Sequence, residues 1–145
     1  MAREEFRFGT PLRVRWAEVD PQGIVFNGNY LTYFDVGMTE YFREIGYPYP
    51  DGLAEFGSDF FVVRSLIEYH DSARFDDDLE ILTRVGRLGR SSIQLLLEIH
   101  RGGDHLISGE LVYVNADPET RKSMPVPQPV RDAILAFERT RPEGA

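Results

Sequence analysis

The chain has 145 residues, 42% of them hydrophobic and 12% aromatic, which fits one domain able to bury a continuous core without staples. Its net charge of −8 disfavours a nucleic acid or an anionic membrane as the main partner, because both demand a basic field. The absence of cysteine excludes disulfides, thiolate metal ligands and a cysteine nucleophile. The three histidines, His70, His100 and His105, have no zinc-motif spacing, so neither a metal nor a resident cofactor is expected. No apolar run approaches the roughly 20 residues of a membrane span. The opening MAREEFRFGT lacks the basic-then-apolar layout of a secretory signal, which makes the cytoplasm the expected location. Of the 16 basic residues only Lys122 is a lysine, so the positive charge sits on arginine, whose fork suits phosphate.

In chain order, residues 6–16 alternate, with Leu12, Val14 and Trp16 on one side and Arg13 and Arg15 on the other, which predicts a strand. Asp20-Pro21-Gln22-Gly23 ends it; Asp first, Pro second and Gly fourth is the pattern of a type I turn. The period then changes. Tyr30, Tyr33, Phe34, Gly37, Met38, Tyr41, Phe42 and Ile45 recur at helical spacing and predict one long amphipathic helix. Asn27, Gly28 or Asn29 can cap its start, and Gly46 with Pro48 stops it. Four strands are predicted beyond a Pro/Gly-rich loop, at 60–70, 79–88, 92–101 and 105–114, the last two joined at Gly102-Gly103 as a hairpin. The tail offers a short helix at about 129–138, and the body of the domain spans about 6–125.

One helix cannot cover both faces of a five-stranded sheet. Ile93, Leu95, Leu97 and Ile99 form an apolar row, while Gln94, Glu98 and His100 make the opposite face more polar. The simplest arrangement is an α+β fold in which a curved antiparallel five-stranded sheet wraps around the long helix. Its open edge invites a second copy, which predicts a symmetric dimer.

Asp20 is explained as a turn former by local chemistry alone. Its position between a strand end and a helix start adds a second possibility, because the free N–H groups of a helix's first turn attract negative charge. The apolar Ile24-Val25-Phe26 would partly exclude water, and Asn27 and Tyr30 add polar groups to the same segment. The triple Asp76-Asp77-Asp78 lacks the ligand spacing of a calcium loop and reads as an acidic surface turn.

The stretches WAEVDPQGIVFNGNYLTYFDVGMTEYFREIG and FFVVRSLIEYHDSARFDDDLEILTRVGRLGRSSIQLLLEI resemble the 4-hydroxybenzoyl-CoA thioesterase family, including the acyl-CoA thioesterases associated with the Tol-Pal system. The most specific part is the D-x-x-G-x-V-x-x-x-x-Y pattern at Asp20, Gly23, Val25 and Tyr30. The resemblance implies a hot dog fold, an acyl-CoA substrate, and assembly as a homodimer or homotetramer. It places Asp20 on the catalytic carboxylate, and the backbone N–H groups at Asn27 and Gly28 on the thioester carbonyl. Tyr30 and Tyr33 would then stand by the substrate, and Arg90 and Ser91 near the CoA phosphates. Several relatives carry histidine or tyrosine at the position of Asn27, so a backbone role carries over and a side-chain proton transfer does not.

A thiolate leaving group titrates near about 8.5 and needs little protonation, so hydrolysis requires an activated oxygen nucleophile and a stabilised oxyanion. Two other readings stand beside the acyl-CoA thioesterase: hydrolysis of acyl groups on an acyl carrier protein, and a non-catalytic hot dog protein that binds acyl-CoA. No G-x-S-x-G elbow is present, which disfavours a serine hydrolase.

Overall fold

The computed structural model describes residues 3–145. Five strands, β1 (Phe8–Arg13), β2 (Asp59–Tyr69), β3 (Asp78–Leu88), β4 (Ser92–Arg101) and β5 (Asp104–Ala116), form one antiparallel sheet in the order β1-β3-β4-β5-β2. The helix α1 (Asn29–Glu44) lies against one face; a single turn α2 (Asp51–Ala54) and a C-terminal α3 (Gln128–Phe137) complete the set. This is the α+β arrangement that the order of elements predicts, and the hot dog fold that the resemblance implies.

The boundaries follow local chemistry. Gly46 ends α1 at φ 93°, and Gly102 turns the β4–β5 hairpin at φ 58°, both in the left-handed region that glycine tolerates. Pro11 has no N–H to donate and sits in β1, an edge strand, where that loss costs no ladder bond.

The first strand is shorter than the alternation predicts. Phe6 folds over the outer face of the sheet, 5% exposed, with the Arg84 guanidinium 5.8 Å from its ring centre. At the other end, Val14 makes a last backbone bond to Asp77 O, and Trp16 opens a 3-10 turn that leaves its indole 78% exposed. Glu18 causes the break: its carboxylate takes the backbone N–H of Arg15 at 2.8 Å and the Arg15 guanidinium at 2.6 Å, closing the chain on itself.

The core fills the space between α1 and the concave face. Ile93, Leu95, Leu97 and Ile99 are fully buried, as the apolar row predicts. α1 sits close to the sheet because two glycines let it. A Cβ on Gly37 would fall 2.8 Å from Ile81 Cγ2, and one on Gly109 would fall 2.2 Å from the Phe34 ring, itself fully buried. β2 is the exception to burial: at this free edge Val62, Val63 and Leu66 are 51%, 61% and 43% exposed. An exposed apolar edge strand is a template for pairing with another chain.

Candidate active site

Residues 18–26 fold back as a small hairpin. Val19 bridges Val25, Phe26 N–H donates to Glu18 O at 3.0 Å, and Asp20 N–H donates to Ile24 O at 2.9 Å. At its tip Gly23 N–H donates to Asp20 O at 2.9 Å, with Gly23 at φ 79°, and Gln22 N–H donates to Asp20 Oδ1 at 2.8 Å. The turn reading of Asp20 is therefore correct. It uses only one carboxylate oxygen; Oδ2 has no partner among the described residues.

Asp20 is half-buried and lines a cleft of about 500 Å³ with Trp16, Val19, Pro21, Gly23 and Phe75. Trp16 and Phe75 meet edge to face at 5.2 Å, and both are exposed. Exposed aromatics that wall a cleft beside an unpaired carboxylate oxygen present an apolar surface to a ligand.

The other end of the hairpin delivers the helix entrance. The Asp20–Ile24 and Glu18–Phe26 pairs are two residues apart, roughly 7 Å along a strand. No side chain caps α1, whose N-cap is Gly28. Asn29 N–H donates to Phe26 O and Tyr30 N–H to Asn27 O, whereas the N–H groups of Asn27 and Gly28 have no acceptor among the described residues. Asn27 and Gly28 are exposed, and their N–H groups belong to the positive end of the helix.

Glu18 and Asn29 hold this geometry, and neither stands out as functional in the sequence. Asn29 Nδ2 donates to Glu18 O at 2.9 Å, and the Tyr33 hydroxyl donates to Glu18 Oε1 at 2.9 Å. Burial alone would raise the Glu18 pKa; the Arg15 backbone N–H, the Arg15 guanidinium and the Tyr33 hydroxyl outweigh it and hold the carboxyl below its usual range. Only the three-residue spacing of Arg15 and Glu18 hinted at the pair.

The remaining predicted residues are placed differently from one another. Tyr30 is 2% exposed, and its hydroxyl accepts from Ala73 N–H at 3.0 Å, locking α1 to the loop after β2. Tyr33 is 1% exposed with its hydroxyl on Glu18. Both tyrosines thus tie the site to the core, and Tyr33 also lines a second cavity of about 280 Å³ with Leu12, Arg15 and Val36. Arg90 and Ser91 form the β3–β4 turn, where Gly89 N–H donates to Ser92 O and Asn115 N–H to Ser91 O. Arg90 is exposed and Ser91 half-buried. This turn is at the opposite end of the sheet from Asp20: β3 runs 11 residues from Asp78, beside the end of β1, to Leu88, a span of roughly 33 Å. Within one chain the two parts do not meet.

Comparison with known proteins identifies the family. Residues 22–108, which include the helix entrance and most of the sheet, match the Thioesterase superfamily. The Acyl-CoA thioester hydrolase YbgC of Escherichia coli O6:H1 is 29% identical over 125 residues, 85% of this chain and 92% of that protein. Among solved structures, a Pseudomonas aeruginosa PAO1 protein superposes with a TM-score of 0.83 at 29% identity, covering 96% of each chain. A thioesterase from Thermus thermophilus, crystallised with coenzyme A and zinc, superposes with a TM-score of 0.80 at 29% identity over 94% of this chain and 98% of that one. With more than half of its length matched by the family, and its sheet and helix arranged as in these structures, the chain belongs to the thioesterase superfamily.

Proposed function

We propose that this protein hydrolyses acyl-CoA thioesters to the free acid and CoA, with Asp20 as nucleophile or general base and the N–H groups of Asn27 and Gly28 as oxyanion donors. The observation that carries the reading is the unpaired Oδ2 of Asp20 on an apolar cleft, on the same hairpin as two unaccepted helix-entrance N–H groups. The relatives named as acyl-CoA hydrolases supply the substrate class.

In this mechanism the thioester carbonyl lies between the two features. Asp20 Oδ2 either bonds to the acyl carbon or takes a proton from the water that does. The carbonyl electron pair moves to oxygen, where the Asn27 and Gly28 N–H groups stabilise it. It then returns as the C–S bond breaks, and CoA leaves as a thiolate without a general acid. If Asp20 has been acylated, water hydrolyses the mixed anhydride and restores the carboxylate. No cofactor is required at any step.

The CoA moiety would be held by a second copy. β2 runs from the Arg90 end of the sheet, where Asp59 pairs with Ala116, to the Asp20 end, where the Tyr69 hydroxyl donates to Asn27 O at 3.4 Å. Antiparallel pairing of two β2 edges therefore brings the Arg90-Ser91 turn of the second copy to the end that holds Asp20. This proposal requires at least a dimer, and Val63→Asp should give monomers in sedimentation equilibrium with much-reduced turnover. A wild-type chain that sediments as a monomer, or an active monomeric variant, would remove the shared site.

Trp16 is expected to act on affinity. Trp16→Ala should raise KM about 2- to 10-fold, the equivalent of an aromatic contact of about 0.5–1.5 kcal/mol, with kcat and Tm nearly unchanged because the indole is exposed. An unchanged KM across an acyl-CoA panel would separate this cleft from the acyl group.

A further inference from the structure

All three histidines of the chain meet on the outer face of the sheet, and none of them lines the cleft of Asp20. His100 comes from β4, His105 from β5 and His70 from just beyond β2, with Glu98 on β4 between them. The register explains a convergence that spacing hides: His100 stands opposite His105, and Glu98 opposite Ser108. Glu98 Oε1 lies 2.8 Å from His100 Nε2 and 3.8 Å from His105 Nε2. The His100 and His105 rings stack at 4.7 Å and 11°, and the His70 ring lies 4.9 Å from that of His105. His70 Nε2 reaches Ser108 Oγ at 2.9 Å, and the same oxygen lies 3.0 Å from His105 Nε2.

We propose that Glu98, His100 and His105 form a binding site for a zinc-class divalent transition metal, with exposed His70 able to turn into the fourth position. One ligand atom from each of the three lies within 4.8 Å of the others. Zn–N and Zn–O bonds of about 2.0–2.2 Å put ligand atoms about 3.4 Å apart in a tetrahedral set, a spacing bracketed by the 2.8 and 3.8 Å separations around Glu98. Imidazole and carboxylate donors suit zinc, nickel or cobalt rather than magnesium or calcium. Glu98 and His100 are 4% and 7% exposed and held by packing, while the partly exposed His105 ring would turn out of its stack with His100 to share an ion, and a cation would compensate a buried carboxylate. The adjoining cavity of about 200 Å³ is lined by Glu68, Glu98 and Glu110, which makes the approach acidic. His105 Nε2 also lies 3.0 Å from Ile107 O.

The test uses the full chain stripped with a chelator and titrated calorimetrically with Zn²⁺, and with Co²⁺ followed by visible absorption. The expected result is one ion per chain, intense cobalt bands of low coordination number, their displacement by Zn²⁺, and no competition by Mg²⁺. His105→Ala, at a partly exposed position, should weaken Zn²⁺ binding roughly tenfold or more. The isosteric Glu98→Gln should do the same while keeping the far-ultraviolet spectrum of the wild type. Asp20→Asn should bind Zn²⁺ like the wild type, which separates this site from the hydrolytic reading. Zn²⁺ affinity equal in wild type and both ligand variants, or a pale octahedral cobalt spectrum, overturns the proposal.

Discussion

Asp20→Asn is expected to lower kcat for acyl-CoA hydrolysis by about 10³-fold, within the range of about 10²–10⁴ that a positioned proton acceptor contributes. The substitution is informative because it preserves the turn. An asparagine amide oxygen still accepts from Gln22 N–H, and the bonds from Asp20 N–H to Ile24 O and from Gly23 N–H to Asp20 O involve only the backbone. Fold, Tm and CoA affinity should therefore change little, and the loss reports the missing charge on Oδ2. Rapid quench of the wild type followed by peptide mass analysis distinguishes the two roles: an acyl adduct on the Asp20 peptide marks attack by the carboxylate, whereas activation of water leaves that peptide unmodified.

The second large effect is expected at a residue with no side chain. Gly28→Pro removes one of the two unaccepted N–H groups at the start of α1 while respecting its φ of −68°, which a proline ring can adopt. Loss of one oxyanion donor costs about 10²–10³-fold in kcat. Gly28→Ala is the matched control. Its Cβ meets the same Phe26 ring, 3.0 Å away, that the proline would meet, yet it keeps the N–H, so its kcat should fall less than about 10-fold. Equal losses in the two variants would assign the effect to crowding against Phe26 and remove this N–H from the oxyanion site.

These expectations rest on features of unequal legibility. The helix could be read from Tyr30 to Ile45 because its buried residues recur at helical spacing and Gly46 stops it; the observed element is Asn29–Glu44. The turn at Asp20 was equally plain, since its bonds join residues two and three apart. Trp16 misled because alternation continues through it in sequence, while the Arg15–Glu18 contact breaks the strand in space. The tyrosines are harder to read. A helical stripe tells which side chains face inward, but not that the hydroxyls of Tyr30 and Tyr33 would be taken by Ala73 N–H and Glu18. The histidine cluster was invisible because the β4–β5 and β2–β5 registers create it, and no spacing along the chain encodes a register. Arg90 and Asp20 stand at opposite ends of one sheet, so their joint use depends on a second copy.

The account turns on the Asp20 carboxylate, and the most direct measurement is CoA release by wild type and Asp20→Asn, side by side, on acyl-CoA thioesters from short aliphatic to benzoyl type. It predicts thiol release by the wild type with at least one member of the panel, and a loss of about 10³-fold in the variant on that same substrate. A correctly folded Asp20→Asn protein that keeps most of the wild-type rate would contradict it.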